Sequence, residues 1–227
     1  FTTSGNTFFA GSNYCGVYLS TNSGISWTQN GLENKSVLSL SSSGSNTLAG
    51  TLQGIYLSTN NGTTWSQTEL NNKIANSLIV SGNNIYAGTN FGIYLTTNNG
   101  IFWTQASLGY KNVLSLAISG SNIFAGTYQE GVWHSTNNGT SWAQTALNNQ
   151  YVYSLAISGN NIFAGTWPNG VWLSTNNGIS WTQTALNNIT VNSIAISGSN
   201  IFAGTKSGIF LSTNNGTSWL NKNQGFN

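Results

Sequence analysis

The sequence carries very little charge. It holds five Lys and three Glu among 227 residues, and it contains no Asp, Arg or Met. The acid and base pair of a typical glycoside hydrolase is therefore difficult to assemble. A cluster of arginines that would hold a substrate carboxylate is excluded. The net charge of +2 comes without a basic cluster, which argues against nucleic-acid binding.

His, Cys and Pro each occur only once, as His134, Cys15 and Pro168. This rules out a His- or Cys-rich metal site and an intramolecular disulfide, and a Ser-His-Asp triad would lack its Asp. We expect no metal and no other cofactor. No apolar run approaches the roughly 18 residues of a membrane helix, so we expect no membrane insertion. The chain begins at Phe1 without a basic or apolar leader, which predicts a processed or excised segment.

A repeat of 38 or 39 residues fills the chain. Six copies of the phrase S/T-x-N-x-G-x-x-W each end in a tryptophan, and a second phrase, AG[ST], recurs with the same period. The repeat tryptophans are Trp27, Trp65, Trp103, Trp142, Trp181 and Trp219. Six similar copies without a linker predict one domain over residues 1–227.

One copy predicts four short strands. Residues 154–158, 161–166, 170–175 and 179–186 are apolar or alternating, and Gly and Asn separate them. No segment shows a helical period. Six units of four antiparallel strands predict an all-β fold, a six-bladed β-propeller that needs no exchange of strands between copies. The alternative is a β-solenoid, which four strands per copy disfavour.

The phrase S/T-x-N-x-G-x-x-W resembles the Asp-box, or bacterial neuraminidase repeat, S-x-D-x-G-x-T-W. In that family, which includes sialidases, sortilin-type receptors and xyloglucan-degrading hydrolases, the box forms the turn between the third and fourth strands of a propeller blade. The resemblance implies this fold and position for all six copies, and it does not imply sialidase chemistry. The copies also resemble repeat modules of large secreted bacterial proteins, which implies an extracellular or cell-surface location.

In these boxes Asn stands where the family has Asp. An Asn side chain keeps the carbonyl that accepts backbone N–H groups, but it lacks the charge that a cation would need. We interpret the boxes as structural turns and expect each Asn to accept a backbone N–H bond within its own turn. The six residues are Asn22, Asn60, Asn98, Asn137, Asn176 and Asn214.

The copies differ from one another mainly in two places. The first–second turns and the boxes hardly vary, whereas the second–third loops and the connections between blades do. Antiparallel strands place these two variable segments on the same face of the propeller, and repeat proteins carry function on such loops. The alternative is neutral drift in exposed loops.

Aromatic residues in these variable segments are the candidate ligand-binding residues. They lie beside Asn, Gln and Lys, a combination that suits stacking on a sugar ring or anchoring a partner protein. The candidates are Tyr14, Phe91, Tyr110, Tyr128, Tyr151 and Trp167. We expect blades four and five to bind best.

Three further positions break the repeat. His134 replaces a repeat Leu, and packing is favoured over a role as a base. Cys15 is expected to be a free thiol in a loop, with an intermolecular role as the alternative. Tyr153 and Asn192 replace an inner-strand Leu, where they either line the channel mouth or pack between blades.

These observations favour a secreted, non-enzymatic binding or adhesion module that recognises a neutral glycan or an extracellular protein. The alternative is a structural spacer or assembly subunit of a larger extracellular protein.

Overall fold

The computed structural model describes residues 1–223, which form strands and turns and no helix. Twenty-four strands make six antiparallel sheets, and each sheet consists of four consecutive strands from one copy of the repeat. This confirms the all-β, six-bladed propeller with four antiparallel strands per blade, without strand exchange in the described part. Among residues 1–223 no helix has the length and hydropathy needed to cross a membrane.

The chain divides into two compact units with three blades each, Phe1–Val113 and Leu114–Asn227, and the single domain stays a prediction. The strands of the first unit are β1 (Thr2–Ser4), β2 (Thr7–Ser12), β3 (Gly16–Ser20) and β4 (Thr28–Gln29) in blade 1; β5 (Val37–Ser43), β6 (Asn46–Thr51), β7 (Gly54–Ser58) and β8 (Ser66–Gln67) in blade 2; and β9 (Ala75–Ser81), β10 (Asn84–Thr89), β11 (Gly92–Thr96) and β12 (Thr104–Gln105) in blade 3.

The second unit repeats this pattern. Its strands are β13 (Val113–Ser119, which begins at the unit boundary), β14 (Asn122–Thr127), β15 (Val132–Ser135) and β16 (Ala143–Gln144) in blade 4; β17 (Tyr151–Ser158), β18 (Asn161–Trp167), β19 (Gly170–Ser174) and β20 (Thr182–Gln183) in blade 5; and β21 (Val191–Ser197), β22 (Asn200–Thr205), β23 (Gly208–Ser212) and β24 (Leu220–Asn221) in blade 6.

The fourth strand is much shorter than the sequence predicts. In blade 5 it covers Thr182–Gln183 instead of residues 179–186. Residues 179 and 180 belong to the box turn, because both of their N–H groups bond to Asn176. After Gln183, the N–H of Thr184 donates to the Val171 carbonyl, and the Val171 N–H donates to the Leu186 carbonyl. Two extra residues, 185 and 186, interrupt the ladder there, so regular pairing stops.

The core lies between neighbouring blades within each unit. Between blades 4 and 5, Phe124 and Leu147 pack against Val152 and Leu155. Between blades 5 and 6, Phe163 is fully buried in a second cluster, and burial of such a ring contributes about 1.5–3 kcal/mol. The second strand of a blade is covered on both faces, which explains why NIFAGT is a continuous apolar run instead of an alternating one.

The glycine of AG[ST] permits this close packing. A Cβ on Gly165 would lie 2.8 Å from Cγ1 of Val191 in the next blade, and one on Gly11 would lie 2.6 Å from Cγ1 of Val37. Real Cβ atoms essentially never come this close to another carbon. The phrase therefore marks the place where the first strand of the following blade crosses the second strand.

We expect Gly165→Ala to lower the free energy of unfolding by about 1–3 kcal/mol, because the added methyl group overlaps Val191. Chemical denaturation of the wild type, Gly165→Ala, Val191→Ala and the double variant completes a double-mutant cycle. Since Val191→Ala removes the overlapping methyl groups, the double variant should be less destabilised than the two single losses together. Simple additivity would contradict the steric explanation.

Candidate functional site

The two ends of each blade differ in their sequence variation. Strands alternate in direction, so the second–third loop and the connection to the next blade leave from one end, here called the variable face. The first–second turn and the box turn share the other end. In blade 4 they touch, because the N–H of Asn138 donates to the Ser121 carbonyl at 3.2 Å.

Three of the six candidate aromatic residues are in contact with each other and form what we call the aromatic cluster: Tyr128, Tyr151 and Trp167. The Tyr128 and Tyr151 ring centroids are 4.6 Å apart, with an interplanar angle of 86°. The Tyr151 and Trp167 centroids are 4.8 Å apart, at 87°. Tyr128 is 47% exposed and Trp167 44%, so the cluster presents aromatic surface to solvent.

Adjacent strand ends bring these rings together. Tyr128 directly follows β14 in blade 4, whereas Tyr151 begins β17 and is paired in register with Trp167 at the end of β18. The cluster therefore spans blades 4 and 5. Its location depends on the packing between these blades, which no local sequence pattern encodes.

Neutral amides surround the cluster. The Gln129 side chain donates a hydrogen bond from Nε2 to the Tyr151 hydroxyl, and Asn169 Nδ2 donates to Gln150 Oε1 at 2.8 Å. The pKa of Tyr128 is raised above its ordinary value, first because a second phenolate at Tyr151 would repel it and then because of partial desolvation. A tyrosine hydroxyl is neutral at physiological pH, so that of Tyr128 can both donate and accept a hydrogen bond.

The other three candidates belong to the first unit and stand as separate residues. Tyr110 and Tyr14 are 82% and 66% exposed. Phe91 lies under the ammonium group of Lys73, whose Nζ is 5.3 Å from the Phe91 centroid and 5.5 Å from that of Tyr94. This cation–π arrangement already covers part of the Phe91 ring.

The six box turns share one hydrogen-bond pattern. In blade 5, Asn176 Oδ1 accepts the N–H of Ser180 at 2.9 Å, and the buried Ser174 hydroxyl donates to the same oxygen at 3.0 Å. Ser174 Oγ also accepts the N–H of Gly178, whose φ is +82°. The equivalent backbone bond to the box Asn is present in every copy, at 2.9–3.0 Å, from Ser26, Thr64, Phe102, Ser141, Ser180 and Ser218.

The Asn side chain has a donor that Asp would lack, and the turn uses it. Asn176 Nδ2 donates to the hydroxyl of Ser180 at 2.9 Å, and four other boxes repeat this bond with Ser or Thr. In the third box, Phe102 occupies the position of that Ser or Thr. The amide therefore satisfies the turn without a metal ion or any other charge.

Two of the box tryptophans also bond to the preceding blade. Trp27, Trp103 and Trp142 donate from Nε1 to the glycine carbonyl of their own turn. Trp65 donates to the Asn30 carbonyl and Trp181 to Thr145 Oγ1, and both acceptors lie in the blade before. These rings cover the edge of the core between blades as well as their own turn.

Two polar residues that recur in the repeat were not identified from the sequence. The Gln two positions after the box Trp donates to a carbonyl of the second–third loop, for example Gln183 Nε2 to Asn169 at 2.6 Å. A Ser in the first strands of blades 2, 4 and 5 bonds to the next blade, for example Ser154 Oγ, which accepts the Ile194 N–H at 2.9 Å. Both recur at fixed repeat positions, and this recurrence could have identified them.

The positions that break the repeat have clear environments. His134 stacks on Phe124 with centroids 4.2 Å apart and an angle of 8°, and its Nε2 lies 3.0 Å from Asn122 Oδ1. Burial lowers the pKa of His134, in keeping with the predicted packing role.

Cys15 is a free, exposed thiol. Tyr153 and Asn192 occupy bulges where the register shifts in the first strands; Tyr153 is half-buried and Asn192 exposed. No group of three His, Cys, Asp or Glu residues that could hold a metal ion occurs among residues 1–223.

No family model matches the sequence, and no curated protein is significantly similar to it. Several solved structures are similar in fold. The extracellular domain of the putative one-component system BT4673 from B. thetaiotaomicron has a TM-score of 0.79 at 21% identity, over 93% of this chain and 32% of that chain. An ancestral GH74 enzyme has a TM-score of 0.77 at 23% identity, over 95% of this chain and 37% of that chain.

A third similar structure, YCF48 bound to a D1 peptide, has a TM-score of 0.75 at 15% identity, over 94% of this chain and 76% of that chain. The chain thus spans about a third of the BT4673 domain and of the GH74 enzyme. The TM-scores of these three structures establish a shared propeller fold, and identities this low establish nothing beyond it. The three proteins are an extracellular domain, an enzyme and a peptide-bound protein, so the fold alone does not select a function.

We expect Asn176→Ala to lower the free energy of unfolding by about 1 kcal/mol, because the Ser180 N–H loses its acceptor. Asn176→Asp is the matched control, since its carboxylate oxygen can accept the same bond. Thermal and denaturant unfolding of the two variants would measure the difference. Equal losses in both would contradict the proposed role of the side-chain oxygen.

We expect acid to destabilise the protein in part through His134. Its pKa is lowered from 6.5, so the unfolded state takes up a proton first and stability falls as the pH drops below about 6.5. His134→Leu restores the repeat residue and should reduce the loss of melting temperature between pH 7 and pH 5. An unchanged pH dependence in His134→Leu would assign the acid sensitivity to other groups.

Proposed function

We propose that this chain is a non-enzymatic, extracellular binding module of the Asp-box type, and that it recognises a neutral glycan through the variable face. The aromatic cluster of Tyr128, Tyr151 and Trp167 carries this proposal. Exposed aromatic surface beside neutral amides suits a ligand that combines apolar C–H faces with hydroxyl groups.

The extracellular location is supported by the resemblance to modules of secreted proteins and by the extracellular domain among the structures of similar fold. The single free cysteine and the low charge are compatible with such a setting. The six boxes support the Asp-box assignment through their shared turn geometry, although their Asn residues differ from the family residue.

The non-enzymatic part of the proposal is supported by the scarcity of acids. Glu33, Glu69 and Glu130 belong to loops of three different blades, and Asp is absent. The GH74 enzyme among the similar structures makes a direct assay necessary.

Prolonged incubation with neutral polysaccharides, followed by a reducing-end assay, should release no more sugar than a buffer blank. Release above the blank would overturn the non-enzymatic part of the proposal.

We expect a glycan array to identify neutral glycans bound by the purified chain, and Trp167→Ala to weaken that binding. The loss of a stacking anchor should cost about 1–3 kcal/mol, which is roughly 5- to 150-fold in Kd. Isothermal titration with the strongest array glycan measures the change.

The matched control is Phe102→Ser, which removes a ring that is 62% exposed on the opposite end of a blade and installs a residue type that other boxes have. Its affinity should equal that of the wild type. Equal loss in both variants, or a ligand that depends on the box turns and not on Trp167, would contradict the proposal. An array without any hit would favour the structural spacer.

A further inference from the structure

The aromatic cluster contains two separate stacking surfaces. Tyr128 and Trp167 each contact Tyr151 almost at a right angle, with centroid distances of 4.6 and 4.8 Å. Tyr151 therefore links them, and the centroids of the outer two rings are separated by no more than the sum of those distances. This upper limit is comparable to the length of two linked pyranose rings.

Tyr151 acts as a positioning residue in this arrangement. It is half-buried, it contacts both outer rings, and its hydroxyl accepts the bond from Gln129 Nε2. Tyr128 and Trp167, by contrast, leave almost half of their surface exposed. The two outer rings are therefore the surfaces on which a ligand can stack.

The separation of the outer rings is fixed by the core. Tyr128 is attached to blade 4 and Trp167 to blade 5, and Phe124, Leu147, Val152 and Leu155 pack tightly between these blades. Packed cores do not deform continuously. The two surfaces are thus preorganised, which lowers the entropic cost of binding a ligand that reaches both.

The polar surroundings indicate which sugars fit. Gln129, Gln150 and Asn169 are uncharged, and the only charged residue of the Tyr128 loop is Glu130, which disfavours acidic sugars. A pyranose with equatorial hydroxyls exposes C–H groups on its faces and hydroxyls around its rim. Such a ring can stack on an aromatic face while its rim bonds to the amides.

We propose, on the basis of the proposed function, that the ligand is a chain of at least two linked, neutral, equatorially substituted pyranoses, as in β-1,4-linked glucose. One sugar ring stacks on Tyr128 and another on Trp167. Because the second contact is intramolecular once the first has formed, affinity increases with chain length until both rings are covered.

Titration calorimetry with β-1,4-linked glucose oligomers of one to six units tests this inference. Glucose should bind about tenfold or more weakly than the longer oligomers, and the affinity should then reach a plateau. Tyr128→Ala and Trp167→Ala should each reduce the gain from chain length to less than about threefold, while Trp167→Tyr retains most of it. Phe102→Ser should reproduce the wild-type series, and melting temperatures verify folding.

The outcomes separate the two proposals. Equal affinity for glucose and its oligomers, or a length dependence that survives both Ala variants, overturns the inference. Binding of another neutral glycan without any of the glucose series also overturns it, but leaves the proposed function intact. If no glycan is found whose binding depends on Trp167, both the inference and the proposed function are overturned.

Discussion

Face-to-face packing of consecutive sheets is the interaction on which the rest of this structure depends. Each unit has its core between blades, so a single blade buries little on its own. The closest contact occurs at the AG[ST] glycine, where Gly165 leaves room for Val191. This explains why the AG[ST] phrase recurs in every copy, since a larger residue at its glycine would push two blades apart.

The box turns stabilise one end of every blade through local hydrogen bonds. The box Asn and the buried Ser or Thr before it satisfy the backbone N–H groups of the turn, and the Trp adds a cover over the core. An uncharged amide suffices, because each oxygen and nitrogen of the Asn has a partner within five residues in five of the boxes. The opposite end of the blade is thereby free to vary without loss of the fold.

The variable face shows how the same scaffold gives unlike surfaces. In the first unit, the Lys73 ammonium group lies over the ring of Phe91, and Tyr110 is exposed. In the second unit, Tyr128, Tyr151 and Trp167 meet, with neutral amides around them. A repeat protein with unequal loops can therefore place one binding site on two blades and leave the others as scaffold. In five blades the Gln two positions after the box Trp supports this, since its side chain bonds to the backbone of the second–third loop.

The period of Trp and AG[ST] determined the fold class, the number of blades and the position of the boxes, because each depends on local spacing and turn chemistry. Comparison of the copies also identified Tyr128, Tyr151 and Trp167 among six candidates, because they are aromatic residues in the segments that differ between copies. The length of the fourth strand was not predictable, because the box turn takes residues that are β-prone in isolation. Only the tertiary structure decided which aromatics meet. Tyr128 and Trp167 are 39 positions apart, and their contact with Tyr151 follows from the packing of two blades.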